Sequence, residues 1–186
     1  MTVIISKKDE KLSVFAKELT EWLSSIVFAL IIVTVLFTYI FRIVGIRGES
    51  MEPNFHTGDR VIISGLFYEP KYGDVIVTTQ PNDRNEPLIK RVIAVGGQTV
   101  MIDAQNGVVT VDGVALKEDY ILDKTYVAGD ITEPLFVPEG YVFVMGDNRI
   151  DSWDSRYDEI GLIDERYIMG KVYLRIWPFN DLKTFF

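Results

Sequence analysis

Three patterns of apolar and polar positions succeed one another along this chain. Residues 1–21 are mixed and charged, with Lys7, Lys8, Lys11 and Lys17 balanced by Asp9, Glu10, Glu18 and Glu21. Residues 23–41 (LSSIVFALIIVTVLFTYIF) then run 19 positions without a charge. As a helix at about 1.5 Å per residue, that run spans roughly 29 Å, close to the roughly 30 Å hydrocarbon core of a bilayer. It is apolar on every side, unlike the one-sided stripe of a surface helix. Trp22 and Tyr39 stand near its ends, where amphipathic rings prefer the headgroup level. Buried core helices pass the same test but are seldom so long and uniform. A cleavable leader has an apolar stretch of about 7–15 residues and a small-x-small site. Here the run is longer and leads into Arg42-Ile43-Val44-Gly45-Ile46-Arg47. The pattern predicts a retained transmembrane helix over residues 22–44, preceded by a tail over 1–21.

Beyond residue 45 the period changes to short Val-, Ile- and Tyr-rich runs separated by turn residues. Strands are predicted at 60–64, 74–79, 88–95, 99–103, 108–112, 141–145 and 168–177. Asn106-Gly107 and Asp112-Gly113 suit tight hairpins, because both positions tolerate positive φ. Residues 80–87 (QPNDRNEP) read as a polar surface loop. The fold class expected is mainly β: an N-terminal transmembrane helix followed by an antiparallel barrel- or sandwich-like body over 45–186. Residues 96–140 form a small hairpin subdomain inserted into it.

Composition narrows the chemistry. The 19 Lys and Arg against 27 Asp and Glu give a net charge of −8. Because the tail sums to zero, that charge lies wholly beyond residue 21. An acidic balance disfavours nucleic acid as a partner. There is no Cys and one His, His56. Thiolate chemistry and disulfides are excluded, and the soft ligands are too few for zinc. The basic residues flanking the apolar run are too evenly split to set its orientation.

Three stretches could carry chemistry. In residues 48–53 (GESMEP), Ser50 is either an ordinary turn residue or a nucleophile. It fits neither G-x-S-x-G nor Ser-x-x-Lys, since Glu52 and Pro53 occupy the diagnostic positions. In residues 88–95 (LIKRVIAV), alternation puts Lys90 on a face with Leu88, Val92 and Ala94, and Arg91 on the other with Ile89, Ile93 and Val95. Both faces are apolar. Either the cations snorkel from an edge strand, or they are buried for a reason. Burial penalises an ammonium, and lowering a lysine from about 10.4 to about 8 takes roughly 3 kcal/mol. A neutral amine can then accept a proton from a serine hydroxyl. Arginine cannot, and should instead pair with a carboxylate. Residues 145–156 (MGDNRIDSWDSR) are either a loop of side-chain-to-backbone turns or a hydrogen-bonding shell for such a dyad.

Taken in order behind a single N-terminal span, these stretches resemble the type I signal peptidases, membrane-anchored Ser-Lys endopeptidases. Residues 48–53 are similar to the family's serine motif, 90–97 to its lysine motif and 146–156 to its third motif. The closing 170–178 also resembles the family's end. The length looks like the short form of many Gram-positive bacteria. The resemblance implies Ser50 as nucleophile and Lys90 as general base. Ser152 would orient the lysine, Asp147 would pair with Arg91, and Arg149 would belong to the same shell. Asp154, Ser155 and Arg156 would be structural. The Ser50 N–H would serve the oxyanion, whereas Gly48 stands where some relatives carry a second hydroxyl donor. Ile46 and Met51 would wall shallow pockets selecting small residues at −1 and −3 of a signal peptide bound extended beside a strand. The implied partners are preprotein signal peptides, the lipid bilayer and, by proximity, the secretion machinery, with no cofactor, metal or nucleic acid. The implied location is a single-pass cell-membrane protein with a cytoplasmic N-terminus and an extracytoplasmic body. Phe67, Tyr68, Trp153, Trp177, Phe179, Phe185 and Phe186 are aromatic candidates for the bilayer surface or the core. Two other readings are a membrane-tethered non-catalytic β scaffold and a self-cleaving Ser-Lys protease. The second is disfavoured by the anchor, the first by the presence of both Ser50 and Lys90.

Overall fold

A computed structural model describes residues 7–82 and 86–185. Part of the predicted tail, the middle of the 80–87 loop, the side chain of Tyr39 and Phe186 lie outside the described residues. The chain divides into two units, Met1–Ile40 and Phe41–Phe186.

The first unit is helical. Helix α1 (Lys7–Val35) continues into a π-helical turn at Leu36–Ile40. Neither Gly nor Pro interrupts residues 7–44, so nothing local stops the helix. Val14–Thr38 is long and apolar enough to cross a membrane, and none of that segment is buried. Four of its hydroxyls are satisfied internally. Thr20 donates to Ala16 O, Ser24 to Thr20 O, Ser25 to Glu21 O and Thr34 to Leu30 O, all at 2.6–2.9 Å. Lipid offers no partner for such groups, so back-bonding removes the cost of placing them there. The helix differs from the predicted 22–44 at both ends. It starts within the tail, and residues 42–45 are strand. Ile43 and Val44 are good helix residues for a membrane but also β-branched, and a partner strand is available to them.

The second unit holds twelve strands among the described residues. They are β1 (Arg42–Gly45), β2 (Arg60–Ser64), β3 (Val75–Thr78), β4 (Leu88–Val95), β5 (Thr99–Asp103) and β6 (Val108–Val111). The others are β7 (Val114–Ala115), β8 (Leu135–Phe136), β9 (Tyr141–Met145), β10 (Ile163–Asp164), β11 (Ile168–Trp177) and β12 (Lys183–Thr184). The larger sheet has the order β1-β2-β11-β3-β4-β9-β10, with β12 pairing β11. The smaller has the order β7-β6-β5-β8. Every pairing is antiparallel. The Asp112-Gly113 hairpin has both central φ positive, at 52° and 78°, which suits the twist of its strands.

Strand β4 lies between β3 and β9, well inside the larger sheet. Its alternation holds for Leu88 and Val92, which pack in one apolar cluster with Ile76, Val142 and Val144. It fails beyond Val92. A register shift against β9 falls between Val92 and Ala94, and Ala94 joins Ile93 in a different cluster with Phe143 and Met145. An extra residue in one strand reverses the facing of everything after it. Lys90 and Arg91 precede the bulge and keep opposite faces.

The third cluster contains Ile46, Met51, Phe55, Val61, Ile63 and Val172. Phe55 anchors the segment between β1 and β2 there, stacked on Phe185 with ring centroids 4.5 Å apart. Replacing fully buried Phe55 by Ala should therefore destabilise the second unit by about 3–5 kcal/mol. A denaturant titration followed by tryptophan fluorescence would check this, and an unchanged midpoint would contradict the packing described.

Candidate active site

The serine stretch lies where the β1–β2 ladder ends. Past the last strand pair, Ile46 N–H donates to Asp59 O at 2.9 Å and Gly58 N–H to Ile46 O at 3.0 Å. At Gly48 the chain turns off with φ +89°, a conformation that side chains resist. It then tightens into a turn in which Glu52 N–H bonds Glu49 O and Asn54 and Phe55 N–H bond Met51 O, at 2.9–3.1 Å. From β11, Arg175 holds the turn from outside. Its Nη1 donates to Asn54 O at 2.8 Å and to Asp59 Oδ2 at 3.0 Å.

Lys90 sits in β4 opposite Ile76 of β3 and is 3% exposed. Its Nζ is 2.7 Å from Ser50 Oγ. Which of the two holds the proton depends on the charge of the amine. Arg91, 9% exposed, makes a two-pronged pair with Asp147. Its Nε and Nη2 each reach a carboxylate oxygen at 2.7 Å, while Nη1 donates to Gly73 O at 2.7 Å. Asp147 is fully buried and its Oδ2 also accepts from Asn54 Nδ2 at 2.9 Å. The same amide donates to Tyr120 O at 2.6 Å. The Arg91 guanidinium lies 4.2 Å from the Tyr120 ring centroid. Burial first, then the charge of Glu118, pushes the Tyr120 phenol well above its ordinary range, so it remains a neutral hydroxyl.

The third stretch folds around Asp154. Its Oδ2 accepts from Ser152 Oγ at 2.6 Å, Gly146 N–H at 2.9 Å and Arg156 Nη2 at 2.9 Å. Arg156 Nε bonds Oδ1 at 2.8 Å. Arg149 donates to Gly146 O, Thr125 Oγ1 and both oxygens of Glu118, at 2.5–3.0 Å. Asn148 N–H donates to Ser50 O at 3.0 Å, which ties this loop directly to the serine. Gly146 is squeezed between the two. A Cβ there would lie 2.2 Å from Ser152 Oγ and 2.4 Å from Ser50 O.

Ser50 and Lys90 open onto a cleft of roughly 980 Å³ whose wall includes Ile46, Leu88, Asp151 and Trp153. The cleft lining runs through Ile46 and not through Met51, which is 1% exposed and packed in the core with Phe55. Among the described residues no group of His, Cys, Asp or Glu is placed to hold a metal ion. His56 lies on the surface and pairs with Glu52 at 3.1 Å. Of the aromatic candidates, Phe185 and Tyr68 pack against core clusters. Trp153 packs there too and donates Nε1–H to Glu159 at 2.8 Å. Phe67 is 95% exposed, and Trp177 and Phe179 form an exposed edge-to-face pair.

Sequence reasoning does not single out Asn54, Glu118, Tyr120 or Thr125. Asn54 has a local signal, an amide four residues beyond Ser50 in a turn. The other three come from the inserted sheet region and have none.

The sequence profile of the family described as "Signal peptidase, peptidase S26" matches residues 19–177. Signal peptidase IB of Staphylococcus aureus (strain Mu50) is 35% identical over 185 residues, covering 90% of this chain and 94% of that protein. Signal peptidase I of Bacillus licheniformis is 31% identical over 186 residues, covering 94% and 97%. A crystal structure of a signal peptidase I from Enterococcus faecalis V583 has a TM-score of 0.44 and 29% identity, over 56% of this chain and 97% of that one. The chain belongs to the signal peptidase family. It is a peptidase that acts on signal-peptide-bearing preproteins, and its apolar N-terminal helix fits a membrane anchor.

The packing around Ser50 predicts two outcomes. Gly146→Ala forces a methyl against the main-chain carbonyl of Ser50, and should lower stability by about 1–3 kcal/mol and slow cleavage markedly. Asp147→Ala leaves Arg91 buried without its anion and should cost about 3–5 kcal/mol. Thermal unfolding of both variants beside wild type is the measurement; wild-type midpoints would contradict the geometry.

Proposed function

We propose that the chain cleaves signal peptides by a Ser50–Lys90 dyad. The observation that carries this reading is the 2.7 Å contact between Ser50 Oγ and the buried Lys90 Nζ at the wall of an open cleft. In the first half-reaction the neutral amine of Lys90 takes the proton of Ser50 as Oγ bonds to the scissile carbonyl carbon. The carbonyl oxygen becomes an oxyanion, which the Ser50 main-chain N–H faces. Collapse breaks the C–N bond, and the proton on Lys90 passes to the leaving amine. In the second half-reaction water attacks the acyl-Ser50 ester, gives its proton to Lys90, and the serine recovers it as the acid leaves.

Ser152, Asp147, Arg91 and Arg149 support the dyad without touching the reacting bond. The peptide lies extended in the cleft, and the apolar wall at Ile46 favours small side chains at −1 and −3. Met51 backs that wall from the core. Val14–Thr38 crosses the bilayer with the N-terminus in the cytoplasm, so the second unit works outside, where exported preproteins emerge from the secretion machinery.

In detergent, with a preprotein carrying small residues at −1 and −3, Ser50→Ala and Lys90→Ala should each lose cleavage by about a thousandfold or more. Both should unfold at the wild-type midpoint or above it. Lys90→Arg should be equally inactive, because arginine stays charged. Wild-type turnover by Lys90→Ala would sink the dyad. A lysine base also sets the sign of the pH dependence. The active form is the deprotonated amine, so kcat/KM should rise with pH through the Lys90 titration; a profile that falls or stays flat above neutrality would contradict it.

A further inference from the structure

Thr57 belongs to none of the three chemistry-bearing stretches, yet it completes the β1–β2 ladder. After the rungs between Ile46 and Gly58–Asp59, the chain departs at Gly48 and main-chain pairing ends. The next rung is made by a side chain. Gly48 N–H donates to Thr57 Oγ1 at 3.0 Å, and that hydroxyl donates to Gly48 O at 3.1 Å. One hydroxyl thus holds both polar groups of the residue two positions before Ser50. On the side where a Cβ would sit, Gly48 meets nothing within 4 Å. A glycine at φ +89° is free to wander unless it is tied. Thr57 is exposed and lines the same cleft as Gly48, Ser50 and Lys90.

We propose that Thr57 is a positioning residue for hydrolysis, whose hydroxyl clamps Gly48 and thereby fixes the main chain that aims Ser50 Oγ and N–H at the scissile carbonyl. The proposal rests on the reading of Ser50 as nucleophile. The clamp acts on the reacting geometry and not on the cleft's grip on the peptide. Its loss is therefore a loss of turnover, because small misplacements of a nucleophile cost rate steeply.

The test compares Thr57→Val, which swaps the hydroxyl for a methyl of similar size, with Thr57→Ser, which keeps the hydroxyl. Both are made in the full chain in detergent and assayed on the same preprotein. Thr57→Val should lower kcat about tenfold to a hundredfold with KM nearly unchanged, and Thr57→Ser should restore most of the loss. Melting temperatures should stay at wild type, since an exposed side chain contributes little to the core. Should Thr57→Val melt early, Thr57→Ala gives the same comparison without the added methyl. Wild-type kcat in Thr57→Val, a loss in Thr57→Ser as large as in Thr57→Val, or a rise in KM alone would each overturn the clamp. Ser50→Ala separates the two readings. If it is inactive while Thr57→Val is unimpaired, the clamp alone fails; if Ser50→Ala keeps wild-type turnover, the nucleophile assignment fails and takes the clamp with it.

Discussion

A guanidinium and a carboxylate lose most of their hydration when buried together, and their attraction offsets that loss only when every donor and lone pair finds a partner. The Arg91–Asp147 pair imposes this constraint at the centre of the larger sheet. Three segments answer it at once. The loop before β3 gives Gly73 O, the turn after Ser50 gives the Asn54 amide, and the loop after β9 gives the carboxylate. Satisfying one ion pair therefore pulls the serine turn and the third stretch onto β4. Lys90 is the adjacent residue on that strand and faces the other way. Its amine is fixed relative to Ser50 by a neighbour that takes no part in the proton transfer proposed.

The buried arginines nearer the C-terminus obey the same rule. Arg149 is closed by Glu118 and Thr125, Arg156 by Asp154, and Arg175 by Asp59 and Asp181. Each cation meets an anion within its own contact shell, so a site rich in charge is locally close to neutral. Glu118 and Thr125 come from the region between β7 and β8. The inserted sheet thus supplies anions and carbonyls to the serine-bearing sheet, which gives it a role in holding the cleft together.

Much of this is legible in the sequence, and the limits are physical. Strand bounds such as Leu88–Val95 and Ile168–Trp177 emerge from β-branched runs flanked by turn residues, a local signal. The conflict of two cations in an apolar strand marks Lys90 and Arg91 from the residue pattern alone. What escapes is non-local. Strand β1 is pairing that only β2 can reveal, since Arg42–Gly45 continues an apolar run. The bulge after Val92 reverses the facing of Ala94 and Val95, because one inserted residue breaks a period of two. Met51, which the resemblance implies as a pocket wall, is packed by the turn into the core. Thr57 lies seven residues from Ser50 and meets Gly48 through the bend that the turn makes.

Asp154 shows how a residue set apart as structural bears on the proposed chemistry. A serine hydroxyl has one hydrogen to give and two lone pairs with which to accept. In this structure Ser152 gives its hydrogen to Asp154, leaving the oxygen as an acceptor. Under the proposed mechanism the amine of Lys90 becomes an ammonium as Ser50 attacks, and at that moment it loses Ser50 as a hydrogen-bonding partner. In the proposed arrangement, in which Ser152 orients Lys90, a hydroxyl locked as an acceptor stabilises the ammonium more than the amine, which is the differential that lowers a barrier. Were the Ser152 hydrogen free to rotate, it could donate to the neutral amine instead, occupy the lone pair that must take the proton, and stabilise the wrong state. Asp154 holds that hydrogen and is itself held by Arg156 and Gly146 N–H, so under the proposed mechanism it sets the direction in which Ser152 can act.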